Sequence, residues 1–284
     1  MWARLRTYSA FVRISHTVFA LPFALVGGLL AMTHVGFEWW RVWWIVGCMV
    51  AARSAAMGFN RLVDARFDAR NPRTAMRELP AGRMSVREAW IFVAGASIAF
   101  IACTIPLGRT CLILSPVALA IVFWYSLAKR VTTYTQAFLG LAMAVAPIGG
   151  WLAAGGPLGP EPLWLGFAIG SWVAGFDILY ACQDLEVDRR EGLHSIPARF
   201  GVAPSITMSR VLHVLTIVAL VQVGLLDNLG PVYFAGIAAV AALLIFEQSL
   251  VSADDLSQVK RAFDLNGWVG LLYFVTTSAA VYWR

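Results

Sequence analysis

Three side chains that can hold a cation stand four residues apart in "FNRLVDARFDARNPRTAMRELPAGR", Phe59 to Arg83: Asn60, Asp64 and Asp68. Four residues advance an α-helix by about 400°, so the three stack along one face with about 40° of drift. The stretch "YACQDLEVDRREG" repeats the device with Tyr180, Asp184 and Asp188. Asp184 follows Asp64 by 120 residues and Asp188 follows Asp68 by the same offset, which suggests two related helical units facing each other. Four carboxylates gathered in one place repel one another and lose solvation, and a bound cation relieves both costs. Ligands that are all oxygen favour a hard ion, and Mg2+ takes one or two carboxylates together with water and phosphate oxygens. Asn60, Asp64, Asp68, Asp184 and Asp188 are therefore the candidate metal ligands.

Around these acids lie Arg73, Arg77, Lys129 and Arg130, suited to the outer oxygens of a phosphate or diphosphate. The expected site is acid, metal and diphosphate with a basic rim. Pairing of Asp64 or Asp68 with Arg66 or Arg70 along the helix would account for the first stretch, but not for the same acid register in a second one. Asp177 lies inside an apolar segment one turn before Tyr180, where an acid is functional by default. Glu186 points roughly 200° away from Asp184 and ranks second. His16, His34 and His213 read as packed or interfacial residues, His194 as a loop residue, and Arg189, Arg190, Arg199 and Arg210 as topology determinants.

The elements that must position these groups are set by composition. The chain has 284 residues, 60% of them hydrophobic and 13% charged, with a mean hydropathy of +0.72. Twelve Trp, 17 Phe and 24 Gly suit membrane helices with interfacial aromatics and small residues at helix contacts, and exclude a soluble α/β enzyme. The Trp pairs at 39–40 and 43–44 read as part of an interfacial belt. Four scattered cysteines without CxxC spacing exclude a metal cluster or disulfide framework, although Cys103 and Cys111 fall near one membrane face. Taking about 20 apolar residues per span, nine spans are expected, at 14–33, 40–58, 87–106, 110–128, 136–155, 163–181, 207–226, 231–250 and 267–283. No cleavage-type site closes the first, so it reads as a retained span. Of 22 Lys and Arg, all but Arg41, Arg109 and Arg284 fall on the amino-terminal side of the membrane. That bias puts the amino terminus in the cytoplasm, together with polar loops at 59–86 and 182–206. The basic residues thus serve topology, and no nucleic-acid partner is expected. Residues 1–284 read as one integral-membrane domain.

At these residues the chain resembles the UbiA family of intramembrane aromatic prenyltransferases. One family signature is matched at Asn60, Asp64, Asp68, Arg73, Thr74, Arg77, Pro80 and Gly82, and a second, "DILYACQDLEVDRREG", at Asp177, Tyr180, Asp184, Asp188 and Gly192. "YSLAKRVTTYTQAFLG", Tyr125 to Gly140, is similar to the family's segment after the fourth span and carries Lys129 and Arg130. The resemblance implies an all-α polytopic bundle of nine transmembrane helices around a central cavity opening to the cytoplasmic side, in a bacterial cytoplasmic membrane. It implies that Mg2+ held by both motifs binds a polyprenyl diphosphate, whose allylic cation is captured by an aromatic acid in ubiquinone or menaquinone synthesis. The implied catalytic residues are Asp64, Asp68, Asp184, Asp188 and Tyr180, with Asn60, Arg73, Arg77, Lys129, Arg130, Asp177 and Arg13 binding substrate. Arg61 departs from the pattern by standing at the family's second acidic position. "RISHTVFALPF", Arg13 to Phe23, is more similar to the branch acting on a dihydroxynaphthoate than to the "RIDKPIG"-like run of 4-hydroxybenzoate enzymes. Two other classes compete: a cation-coupled transporter using the same acids, which expects them near the bilayer midplane, and a scaffold whose loops bind anionic lipid.

Overall fold

The computed structural model describes residues 7–8, 10–12, 17–70 and 74–283, and every regular element among them is helical. Nine helices there have 19 residues or more: α1 (Thr17–Val35), α2 (Trp39–Asp68), α3 (Val86–Thr104), α4 (Arg109–Ala128), α5 (Thr135–Ala153), α6 (Pro160–Ala181), α9 (Val202–Leu226), α10 (Pro231–Ser249) and α11 (Val259–Tyr282). Two short ones, α7 (Leu185–Arg190) and α8 (Ile196–Phe200), lie between α6 and α9. Seven of the long helices, α2 to α6, α9 and α10, are long and apolar enough to cross a membrane. α1 is apolar over the shorter stretch Ala20–Val35, and α11 carries Lys260, Arg261 and Asp264 in its opening turns. The chain is a multi-pass membrane protein.

Two boundaries differ from the expected spans in a way that matters. The helix expected over 40–58 runs on to Asp68, so Asn60, Asp64 and Asp68 ride a continuous helix rather than a loop. The helix expected over 163–181 does end there, but a 3-10 turn at Cys182–Asp184 follows and then α7. Tyr180, Asp184 and Asp188 therefore do not share one regular helical face, because a 3-10 turn advances by a different angle per residue. The chain re-enters the apolar layer through a capping box: Ser85 Oγ accepts from the Glu88 amide, and Glu88 Oε2 accepts from the Ser85 amide at 2.9 Å.

α6 is the axis of the bundle. Of its apolar window 78% is buried, against 17–44% for the other six spans, and it packs chiefly on α5 and α9. Close approach needs small residues: a Cβ on Gly140 of α5 would overlap the carbonyl oxygen of Gly170 on α6. Hydrogen bonds then fix register inside a medium without water. Ser209 Oγ of α9 donates to the Gly175 carbonyl at 2.8 Å, and Trp172 Nε1 of α6 donates to Asn266 Oδ1 of α11 at 2.8 Å. Phe23, Trp151, Trp172 and Tyr273 fill the core between them. This packing brings the ends of α2, α4 and α6 to one end of the bundle, where all the acids of both motifs lie.

Candidate active site

At that end a cavity of about 170 Å³ is lined by Asp64 and Asp68 from α2 and by Asp184 and Asp188 from the 3-10 turn and α7. Arg77, Lys129 and Arg130 line it too. The acids are held by cations from other elements. Arg130, just beyond α4, donates from Nη2 to Asp64 Oδ1 at 2.8 Å and to the Val63 carbonyl at 2.7 Å. Arg77 Nη1 reaches both carboxylate oxygens of Asp68, at 2.6 and 2.7 Å. Lys129 Nζ stands 3.6 Å from Asp188 Oδ1. The consecutive residues Lys129 and Arg130 thus bind one acid of each motif. The helical pairing with Arg66 or Arg70 is not what forms: Arg70 instead meets Glu191 at 3.5 Å. Burial draws the Lys129 pKa down, but Asp188, Asp177, Asp184 and Asp64 together hold it above its ordinary value. Its ammonium stays charged at neutral pH.

The donor set suits a hard cation bound together with a phosphate. Among the described residues, no three His, Cys, Asp or Glu are grouped so as to hold a metal unaided. Mg2+ does not require that, since it keeps coordination positions for water and phosphate oxygens. Asp188 is 2% exposed and its Oδ2 has no hydrogen-bond partner, so one buried lone-pair donor of the second motif is uncommitted. Buried acceptors of that kind are uncommon unless something else fills the role.

Among the other expected residues, Asn60 supports the first motif from one turn deeper, donating to Asp64 Oδ2 at 3.1 Å and to Ser126 Oγ at 3.4 Å. Asp177 lies within electrostatic reach of Lys129, Asp184 and Asp188. The Tyr180 ring packs against Phe263 of α11 at a tilt of 43°, centroids 4.6 Å apart, rather than lining the acid cavity. Arg61 is buried at 4% exposure and does not line the cavity either. Arg13 and Arg73 fall outside the described residues. Among the described histidines, His34 Nε2 lies 2.7 Å from Asp227 Oδ1 and His213 Nδ1 lies 3.0 Å from Gln248 Nε2, while the backbone amide of His194 donates to the Lys129 carbonyl; His16 falls outside the described residues. All four cysteines are free.

Arg53 enters the sequence reading only among the 19 basic residues assigned to topology. It sits seven residues before Asn60, hence on the same face of α2, with Tyr125 beside it and its Nε buried without a hydrogen-bond partner. The signal was available, because an arginine within an apolar span is costly and rarely idle.

The profile of the UbiA prenyltransferase family matches residues 20–274. The 4-hydroxybenzoate octaprenyltransferase of Nitrosospira multiformis is 33% identical over 228 residues, covering 79% of this chain and 77% of its own. That of Cronobacter sakazakii is 32% identical over 251 residues, covering 83% and 86%. The apo UbiA homolog from Aeropyrum pernix K1 superposes with a TM-score of 0.85 at 34% identity, over 93% of this chain and 97% of that one. The UbiA homolog from Archaeoglobus fulgidus bound to GPP and Mg2+ shares the fold, with a TM-score of 0.75 at 19% identity over 97% and 99%. With this profile and these relatives matching most of its length, the chain belongs to the UbiA prenyltransferase family.

Proposed function

We propose that the chain, acting as one membrane domain over residues 1–284, transfers a polyprenyl group from polyprenyl diphosphate to the ring of a hydroxylated aromatic acid in quinone synthesis. The observation that carries this reading is the convergence of two distant acid pairs and five cations, Arg70, Arg77, Lys129, Arg130 and Arg190, on one cavity. Asp64, Asp68, Asp184 and Asp188 hold the metal, with Asn60 orienting Asp64. Arg77, Lys129 and Arg130 take the outer diphosphate oxygens, a role that the family signature also implies for Arg73. When bound, Mg2+ supplies positive charge opposite the leaving diphosphate. The allylic C–O bond breaks with its electron pair going to the diphosphate, whose growing charge the basic rim stabilises. The ring of the acceptor attacks the cation and loses a proton to restore aromaticity. Tyr180, held by Phe263, offers its π face to the cation. An apolar cavity of about 120 Å³ farther along α2, lined in part by Ile45, Met49 and Phe100, gives the isoprenoid tail apolar room.

Arg53 is the group we assign to the acceptor carboxylate, because it lies deeper than Asn60 on the site's own face of α2; Arg13 is the alternative. The curated relatives named above support 4-hydroxybenzoate as acceptor, while "SHTVFALPF" supports a dihydroxynaphthoate. The Lys and Arg distribution supports the amino terminus and the acid cavity on the cytoplasmic side, the nine long helices support nine spans, and the bacterial relatives support a bacterial cytoplasmic membrane. A transporter is disfavoured, since the acids stand at helix ends rather than midway along them. The test is a transfer assay with one polyprenyl diphosphate, Mg2+ and three acceptors: 4-hydroxybenzoate, 1,4-dihydroxy-2-naphthoate and 1,4-dihydroxy-6-naphthoate. Mg2+-dependent product with one of them is expected; purified, folded protein that prenylates none would overturn the reading.

A further inference from the structure

The groups that a metal would need and the groups that a diphosphate would need hold one another. Asp64 is committed to Arg130 at 2.8 Å, Asp68 to Arg77 at 2.6 Å and Asp188 to Lys129 at 3.6 Å. A carboxylate that accepts two N–H bonds from a guanidinium, as Asp68 does, has fewer lone pairs to give a cation. The guanidinium likewise has fewer donors for phosphate. Either ligand arriving alone must break these pairs and leave the displaced partners facing bare, uncompensated charge. A buried charge stripped of its partner is expensive, which applies most to Asp68 and Asp188 and less to Asp64, whose side chain is 33% exposed. Arriving together, the two ligands replace every broken pair: the carboxylates go to the metal and the cations to the diphosphate.

We propose, resting on the function assigned above, that Arg77, Lys129 and Arg130 exchange partners on loading, from Asp68, Asp188 and Asp64 to the diphosphate, so that metal and diphosphate binding are positively coupled through these ion pairs. Lys129 and Arg130 make the coupling span both motifs, since these neighbours in sequence hold one acid from each. By linkage, each ligand raises the affinity for the other by the same factor, typically between about 5- and 150-fold. The site therefore binds free diphosphate or free metal more weakly than it binds either one in the presence of the other.

The test uses the full chain in lipid nanodiscs and two probes applied separately: Mn2+ alone, followed by the electron-paramagnetic signal of the free ion, and inorganic pyrophosphate alone in metal-free buffer, followed by calorimetry. Arg130→Gln removes the competitor of the metal, so Mn2+ is expected to bind about tenfold more tightly and pyrophosphate about tenfold more weakly. Asp64→Asn is the mirror image, with Mn2+ weakened and pyrophosphate tightened. Arg130→Lys keeps the charge and stays near wild type for Mn2+. A variant that merely loosened the site would weaken both ligands, so the opposite signs are the diagnostic. If both probes bind but Arg130→Gln moves them in the same direction, or leaves Mn2+ unchanged, the exchange is overturned and the assignment of the site stands. If Mn2+ and pyrophosphate bind to no form, whether applied singly or together, both are overturned.

Discussion

At the end of α2, Asn60, Asp64 and Asp68 ride one unbroken helix, whereas at the end of α6 a 3-10 turn intervenes before Asp188. The first motif inherits its aim from a membrane span 30 residues long. The second takes its aim from loop contacts: the Thr135 hydroxyl donates to the His194 carbonyl at 3.1 Å, and the Ile196 amide donates to Gln136 Oε1 at 3.2 Å. Their electrostatics differ as well. Asp68 meets Arg77 through both oxygens, while Asp188 meets Lys129 at 3.6 Å and leaves Oδ2 unpartnered. Equal residue spacing has thus been realised by two unlike backbones. What the two share is the delivery of a pair of acids to one cavity, and of the last acid in each motif Asp68 is the more closely paired.

The largest effect should come from breaking the rigid half. One alanine inserted between Leu62 and Val63 rotates Asp64 and Asp68 by about 100° relative to the span. Prenyl transfer should fall by at least about 10³-fold, since two groups that stabilise leaving-group charge are misdirected at once. The same insertion between Cys182 and Gln183 enters a turn that is already irregular and is re-aimed by its loop contacts, so a smaller loss of about 10- to 10²-fold is expected. Comparable losses at the two sites would remove the functional meaning of the backbone difference. Next come the isosteric changes Asp64→Asn and Asp184→Asn, each expected to lower kcat by about 10²- to 10³-fold, while folding, read by thermal melting, is retained.

That difference between the motifs was only half legible in the residues. The acid register and the basic rim are visible because they are properties of spacing and charge, and the span positions because apolar runs of about 20 residues have few other uses. The helical register of Asn60, Asp64 and Asp68 was legible, but its unbroken continuity with the span before Gly58 was hidden, since hydropathy falls there while helical hydrogen bonding persists through Asp68. The 3-10 turn was hidden too: "YACQDLEVD" has no Gly or Pro to mark a break. Ion-pair partners could not be read along the helix because they come from other elements. Arg130 is 66 residues from Asp64, and Arg77 is nine from Asp68 across a turn. Arg53 was legible in principle and was discounted because positive charge at a span margin usually serves topology.

The electrostatic half of the comparison predicts a difference in stability. Arg77→Ala leaves Asp68, 7% exposed, without its cation. A fully buried broken pair costs about 3–5 kcal/mol; with Arg77 itself 25% exposed, about 1–3 kcal/mol is expected. Lys129→Ala leaves Asp188, 2% exposed, without its cation, but the pair it breaks is longer, at 3.6 Å, and its lysine is 39% exposed, so a smaller loss than for Arg77→Ala is expected. Thermal melting in nanodiscs without added divalent metal ranks the two. The reverse order would mean that Asp188, not Asp68, is the better neutralised.

The smallest expected effect separates the residues that open each motif. Asn60 and Tyr180 occupy equivalent registers, yet Asn60 turns to Asp64 and Tyr180 to Phe263. If the ring of Tyr180 is what serves the allylic cation, Tyr180→Phe preserves it and kcat should stay within about threefold of wild type. Tyr180→Leu removes the π face and should lower kcat by about 10- to 30-fold, equivalent to a cation–π contact of about 2 kcal/mol out of water. Phe263→Leu should fall between the two, because it loosens the ring without removing it, and its effect should appear in kcat with little change in KM. A Tyr180→Phe loss as large as that of Tyr180→Leu would assign the work to the hydroxyl instead, and would make Tyr180 a polar partner of its motif in the manner of Asn60.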